Sequence, residues 1–308
     1  MDTATVVNRG GPERSGSRPR RSRENSLFVK WKKRASYYTE AGILYTILAI
    51  LVVIYGVPFL WLLASSLKTS TELFAVPTVW IPKIPQWHNY ALSITSFPFF
   101  LYLRNTLFIV LCNITGSVIS ATLAGYGFAR IKWKGRNVVF IIVLMTMMLP
   151  FQVTMIPLFM VFQRLRWIGT FYPLAVTPFL GNAFFIFLMR QFFTTIPDAL
   201  SEAAIIDGAG EFRIFAGICV PLVRPAIATV AIFAFLNSWN DFMGPLLFLT
   251  RDRLYTLSIG IQQIMSINDP RWNLLMAMGV MMTVPVLVIF FLLQKYFIQG
   301  ISFAGIKG

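Results

Sequence analysis

Six apolar runs, each long enough to cross a lipid bilayer as a helix, restrict this chain more than any other feature. A helix needs about 20 apolar residues to span a hydrocarbon core of about 30 Å. The runs lie at roughly 43–67, 105–129, 138–162, 171–190, 222–249 and 273–297. In lipid, every backbone N–H and C=O must find a partner inside the protein, so runs of this length fold as helices. The expectation is an all-α integral membrane protein with six transmembrane helices. Composition agrees: 56% of the 308 residues are hydrophobic and 13% are charged, about half the roughly 25% charged share of soluble domains. Pro150 and Pro157 break the third run, with Gln152 between them, and Pro173, Pro178, Gly181 and Asn182 interrupt the fourth. Such breaks free backbone carbonyls and are tolerated where protein or a water-filled cavity covers them. Gln152 is therefore a candidate cavity residue, with a plain packing kink as the alternative.

Charge sets the orientation. The net charge is +15, and ten of the 27 Lys and Arg precede residue 41. Arg130, Lys132, Lys134 and Arg136 share one short loop. Basic loops stay on the cytoplasmic side. With the N-terminus inside, six spans return the C-terminus inside, and the inside segments then hold 19 of the 27 basic residues, Lys295 and Lys307 among them. A nucleic-acid-binding arm is the other reading of RPRRSR, but no aromatic residue is interleaved there to stack on bases. Residues 1–41, rich in Ser, Arg, Gly and Pro, read as a disordered basic cytoplasmic tail, and residues 42–308 as the transmembrane domain. The run Ile43 to Leu67 is too long for a signal-peptide core, so it reads as a retained span.

Several chemistries are absent from the sequence. There is no G-x-x-x-x-G-K-[ST] loop to cradle phosphates, no Ser/His/Asp set and no metal-ligand spacing. Cys112 and Cys219 fall at different depths, which argues against a disulfide, and the one histidine, His88, sits in a Trp- and Pro-rich loop as an interfacial residue. The chain is read as having no catalytic residue, no metal site and no cofactor of its own.

Between the fourth and fifth runs stands EAAIIDGAGEFRIFAGICVPLVRP, Glu202 to Pro225, which carries Glu202, Asp207 and Glu211 out of only twelve acids in the protein. Pro197 suits a first helical turn, and Asp198 and Glu202 lie near its positive end. Gly208 can take the left-handed conformation that ends a helix, and a second short helix from Glu211 to Val220 follows. The expectation is a small helix–turn–helix on the cytoplasmic face. Ala203 and Ala204 offer a surface for close approach, and Ile205, Phe212 and Phe215 offer apolar anchors. An interfacial helix pair on lipid would need a basic face, whereas acids outnumber Arg213 here, so a protein partner is favoured.

Small residues recur in the second run: Gly116, Ser120 and Ala124, with Ser117, Ala121 and Gly125 beside them. That spacing lets helices approach closely in lipid. In the fifth run, Asn237, Asn240 and Asp241 would share one helical face at i, i+3 and i+4. A carboxylate at membrane depth is costly and faces a cavity or a partner. These residues, with Trp239 beside them, are candidate lining of a polar cavity. A structural hydrogen-bond cluster or a helix end before Pro245 is the alternative.

The knob resembles the cytoplasmic signature of permease subunits of binding-protein-dependent ABC importers: EAA, three residues, Gly, nine residues, Ile, one residue, then Leu-Pro. Glu202, Ala203, Ala204, Gly208, Ile218 and Pro221 match, and Val220 replaces the leucine. FLMRQFFTTIPDALSEAAIIDGA, LPFQVTMIPL, FLNSWNDFMGPL and the ending AGIKG further resemble the second permease subunit of maltose-type carbohydrate importers. This resemblance implies a coupling loop over about 191–221, with Glu202, Ala203, Ala204, Asp207, Gly208, Ala209, Phe212, Ile218 and Pro221 docking on an ABC ATPase subunit, present in two copies. It implies that ATP and magnesium are bound by that ATPase. It also implies a second, related permease, an extracytoplasmic sugar-binding protein that contacts the Pro-, Trp- and Tyr-rich segment 68–103, a place in the cell membrane of a prokaryote, and a carbohydrate cargo, for which Gln152, Asn237, Trp239, Asn240 and Asp241 would line a translocation path with Trp239 available for sugar stacking. The rival readings are a self-sufficient channel or secondary transporter for a small polar solute, and an intramembrane enzyme. Neither explains the acidic knob.

Overall fold

The computed structural model describes the backbone over 21–265 and 271–305 and side chains over 38–265 and 271–294. Among the described residues every regular element is helical. The chain divides into two units, one ending at Leu60 and the other beginning at Trp61.

Helix α1 (Arg21–Ser66) begins earlier than expected. Its backbone is helical from Arg21, where glycine and proline have ended at Pro19 and the stretch to Gly42 is rich in Arg, Lys, Glu and Ala, all good or tolerated helix formers. The remainder of the expected tail, 1–20, and Lys307 lie outside the described residues. From Ile43 to Tyr55 most side chains are exposed, as suits a helix that meets hydrocarbon and not water.

The second unit contains α2 (Ser70–Leu73), α3 (His88–Thr95), α4 (Phe99–Ala129), α5 (Arg136–Thr146), α6 (Phe151–Arg164), α7 (Tyr172–Ala175), α8 (Ala183–Thr194), α9 (Asp198–Ile206), α10 (Glu211–Ile214), α11 (Val220–Leu222), α12 (Arg224–Trp239), α13 (Met243–Phe248), α14 (Leu257–Met265) and α15 (Trp272–Gly305). Among the described residues four segments are long and apolar enough to cross a membrane: Tyr38–Ser66, Phe99–Ala129, Tyr172–Thr194 and Trp272–Gln294. Two bent pairs qualify only when joined: α5 with α6, at 102°, and Glu211–Leu222 with α12, at 76°. The third expected span is thus bent where Pro150 removes a helix donor. The fifth ends at Trp239, not near 249, and a non-helical link precedes α13.

The core is built on α4, which packs against α8 and α12. Ala121, Met189, Phe193, Ala226 and Val230 form its centre near the Glu202–Pro225 end. A second cluster joins Tyr102, Trp239, Leu257 and Met278, and a third joins Ile109, Phe162, Leu174 and Phe248. The small-residue face of α4 is the contact surface: a Cβ on Gly125 would stand 2.6 Å from the Cβ of Met189, and one on Gly116 would stand 2.7 Å from the Phe179 ring. Ser120 donates to the Pro178 carbonyl at 2.9 Å. Both cysteines are free thiols.

Candidate coupling face and polar cavity

Pro197 stands at the N-cap of α9, one residue ahead of the expected first turn, and Asp198 opens the helix. The far end is closed by a two-bond motif: the Gly208 N–H donates to Ile205 O at 3.0 Å and the Ala209 N–H to Ala204 O at 2.8 Å. Gly208 has φ +79°, a left-handed conformation that costs a residue with a Cβ about 1 kcal/mol or more. Gly210, in extended conformation, starts α10. The helix expected from Glu211 to Val220 is divided: α10 leads into a π-helical turn, Phe215–Cys219, and then into α11.

Two side chains from the end of α4 and the loop after it hold this knob. The Arg130 guanidinium donates to Ile196 O at 2.8 Å and to Ser201 Oγ at 2.8 Å, and pairs with Asp198 at 2.8 Å. The Tyr126 hydroxyl donates to Glu211 Oε2 at 2.9 Å. Tyr126 also packs edge-on against Phe215, with ring centroids 5.0 Å apart. The charged loop expected to report only topology thus supplies the principal clamp. Tyr126 and Arg130 were not legible as partners of Glu211 and Ser201, which lie 85 and 71 residues further along the sequence.

The nine residues expected to form the coupling face divide in two. Glu202, Ala203, Asp207, Gly208 and Phe212 are exposed, Phe212 at 77%. Ala204, at 8% exposure, packs into the core with Ala209 and Ile218, and Pro221 is half-buried. Ala204 is therefore an inward contact and not a surface for approach. Phe215, expected as an anchor, also turns inward. Sequence reading missed Ile206, which at 86% exposure stands beside Ile205 at 56%. Helical periodicity turns alternate faces of α9 inward and outward, and the run Ala-Ala-Ile-Ile does not reveal which face is which.

A second feature is a cavity of about 550 Å³ between α4, α6, α7, α12 and α13. Its polar lining comes from Asn113, Ser117, Asn182, Asn237, Ser238 and Asp241. Two of the five expected path residues, Asn237 and Asp241, line it. Three do not. Gln152 is exposed in the first turn of α6. Asn240 follows the end of α12, with its amide on Leu236 O at 2.9 Å. Trp239 is 3% exposed, stacks on Phe235 at 5.6 Å and donates to Met282 O at 3.1 Å, so its ring face is not open to a sugar. The common helical face of Asn237, Asn240 and Asp241 does not form, because α12 ends before Asn240. Asp241 instead accepts from Gly244 N at 3.0 Å at the start of α13.

Within the cavity, Asn113 is already committed to Ile109 O and Leu174 O. Ser238 Oγ is buried and has no hydrogen-bond partner. A buried hydroxyl without a partner is destabilising by about 1–3 kcal/mol, and among the described residues the Ser238 Oγ is such a group although the residue borders the cavity. Ser238 directly follows Asn237, which was identified from sequence. Asn113, Ser117 and Asn182 come from distant segments that only the fold brings together.

A multi-spanning helical protein with a polar cavity at one level and a clamped, acidic knob at one end has the architecture of a membrane permease. Residues 116–303 match the family described as Binding-protein-dependent transport system inner membrane component, and the chain belongs to that family. It is a multi-pass permease of the plasma membrane. The chain is 35% identical to the arabinooligosaccharides transport system permease protein AraQ of Bacillus subtilis, over 83% of this chain and 92% of that one. It is 29% identical to the sulfoquinovosyl glycerol transport system permease protein SmoH of Agrobacterium fabrum, over 89% and 96%. The fold matches a chain of a bacterial ABC transporter involved in the import of the acidic polysaccharide alginate, with a TM-score of 0.76 and 23% identity over 85% and 98%.

Proposed function

We propose that this permease works as one of two related permease subunits in an ATP-driven importer, and that its cargo is a carbohydrate delivered by an extracytoplasmic sugar-binding protein. The chain crosses the membrane six times, each bent pair counting as one span, with both ends in the cytoplasm. Helices α9 and α10 dock on an ATPase subunit that binds the ATP and magnesium, and two such ATPases drive the cycle. Cargo passes Asn237, Ser238 and Asp241 in the cavity. The observation that carries this reading is the exposed apolar patch Ile205, Ile206 and Phe212, held at the end of a rigidly clamped knob in a chain with no nucleotide loop. Apolar side chains grouped on a fixed polar surface mark a protein interface. The permeases named above as relatives serve arabinooligosaccharides and sulfoquinovosyl glycerol, which supports a carbohydrate cargo.

The test is Gly208→Val. Among the described residues no atom lies within 4 Å of the position a Cβ would take at Gly208, so the substitution strains only the local backbone and projects outward. Membrane insertion should match wild type, whereas co-purification of an ATPase and ATP-dependent sugar uptake should both fall sharply. Uptake and co-purification at wild-type levels would overturn the docking role. Recovery of the unmodified chain alone, under conditions that preserve known importers, would favour a self-sufficient channel.

A further inference from the structure

A second trough lies at the opposite end of α4 from the knob. It holds about 620 Å³ and is lined by Phe108 and Cys112 of α4, by Phe171, Val176 and Phe179, and by the turn carrying Arg251 and Arg253. Phe108 lies 18 residues from Tyr126, about 27 Å along the helix at 1.5 Å per residue. The two ends therefore belong to opposite membrane faces.

The rim of this trough is fixed in place. Asn105, 1% exposed, donates to Arg253 O at 2.9 Å and to Tyr255 O at 3.0 Å, which ties the turn to α4. Thr106 Oγ1 accepts from Leu257 N at 3.0 Å. On the other side the Gly169 N–H donates to Phe248 O at 2.8 Å. Arg251 and Arg253 are exposed, and among the described residues neither forms an ion pair. Even with Asp252 between them the turn is net positive, and exposed Arg164 and Arg166 stand on the neighbouring turn. Basic residues are disfavoured on the face away from the cytoplasm, so an uncompensated group of arginines there calls for an anion.

The trough below the rim has a different chemistry. Phe108 and Phe179 are 47% and 44% exposed along its walls. Asn105 marks the rim, and Cys112 lies seven residues deeper, about 10 Å. Guanidinium groups above an apolar slot match a phosphate joined to an acyl chain. A free sugar would find almost no hydrogen-bond partners in the slot, and a free anion would leave it empty.

We propose that this trough is a binding site for an anionic phospholipid, with its phosphate on Arg251 and Arg253 and an acyl chain lying along Phe108, Cys112 and Phe179. Cys112 reports occupancy, since the other cysteine, Cys219, is buried. The experiment uses the full chain with its co-purifying subunits, stripped of lipid in detergent and then titrated with phosphatidylglycerol or with phosphatidylcholine. N-ethylmaleimide labelling of Cys112 is followed by mass spectrometry, and retained lipid by native mass spectrometry. Phosphatidylglycerol should slow labelling and be retained in preference to phosphatidylcholine. The doubly neutralised variant Arg251→Gln/Arg253→Gln should bind it roughly tenfold or more weakly, from the usual worth of basic residues near anionic headgroups. Val176→Trp, which fills the slot and leaves the arginines, should lose retention as well. Equal protection by both lipids would overturn the anionic site. Protection already complete in the lipid-free complex would overturn it too, and would assign the trough to a neighbouring subunit.

Discussion

Replacing Arg130 with alanine tests whether the knob is a rigid joint. The Arg130 side chain is 9% exposed and makes two charge-assisted hydrogen bonds, to Ile196 O and Ser201 Oγ, besides its ion pair with Asp198. Each such hydrogen bond contributes about 1.5–3 kcal/mol when its donor is ionised. Asp198 is 84% exposed, so its pairing is screened and contributes less than about 1 kcal/mol. Arg130→Ala should therefore weaken the attachment of α9 to α4 by about 3 kcal/mol, taking the low end because water can reach the released groups. Asp198→Asn should weaken it by well under 1 kcal/mol. The readout is hydrogen exchange of the α9 amides in the detergent-solubilised complex. At about 1.4 kcal/mol per factor of ten, Arg130→Ala should speed exchange roughly a hundredfold, and Asp198→Asn no more than about fivefold. Uptake should follow the same order, while α4 and α8 amides stay protected. Equal acceleration by both variants would show that the surface ion pair, not the buried fork, holds the helix. Loosened α9 amides with full uptake would refute the link between rigidity and coupling.

The packing face of α4 predicts opposite effects at two nearby glycines. Gly125→Ala should destabilise by about 1–3 kcal/mol through forced separation from Met189 and the Arg190 backbone, whereas a Cβ at Gly127 meets nothing within 4 Å and Gly127→Ala should raise the thermal midpoint slightly. Ser238→Ala should raise the thermal midpoint, because it removes a buried hydroxyl without a partner, whereas Asn237→Ala should leave it near wild type while raising the sugar concentration needed for half-maximal uptake. A loss of stability in Ser238→Ala would show a hidden structural partner. Lys68 lies buried over the Trp61 ring, its Nζ 3.8 Å from the ring centroid, with no hydrogen-bond acceptor among the described residues. Burial lowers its pKa from the usual 10.5, partly offset by Glu72. The folded state then releases this proton at lower pH than the unfolded state, so stability rises as pH climbs through the lowered pKa and levels off near 10.5. Lys68→Met should be more heat-stable than wild type at neutral pH, with a margin that shrinks toward pH 10.5; a margin constant with pH would contradict the reasoning.

What sequence revealed and what it hid follow from the range of the forces involved. The turn at Gly208 was legible because its left-handed conformation and the acids at the start of α9 are local requirements. The close contact of α4 with α8 was legible because small residues at a fixed spacing carry that information along one helix. The Arg130 fork was not, since its acceptors come from another segment and a basic loop residue is explained equally well by topology. Trp239 was misread for the same reason. A Trp beside two asparagines fits an open sugar platform and a buried stack on Phe235 alike, and only the neighbouring helix, through Met282, decides. The end of α12 escaped because apolar residues continue past Asn240 and hide a break made by three polar ones. The early start of α1 escaped because composition was averaged over a tail whose glycines and prolines all lie in its first half.

The π turn at Phe215–Cys219 carries one residue more than a regular helical turn needs. That extra residue shifts the angular phase of the helix by about 100°. Upstream, Tyr126 and Arg130 pin the chain at Glu211 and Ser201; downstream, Cys219 and Val223 are locked in the core. The bulge takes up the mismatch in phase between two fixed attachments. A one-residue deletion inside it would restore regular helix only by tearing one attachment loose, while an added residue on either side would re-aim Phe212 without altering its side chain. The direction in which this face looks is thus written in the length of the segment, separately from the chemistry it displays.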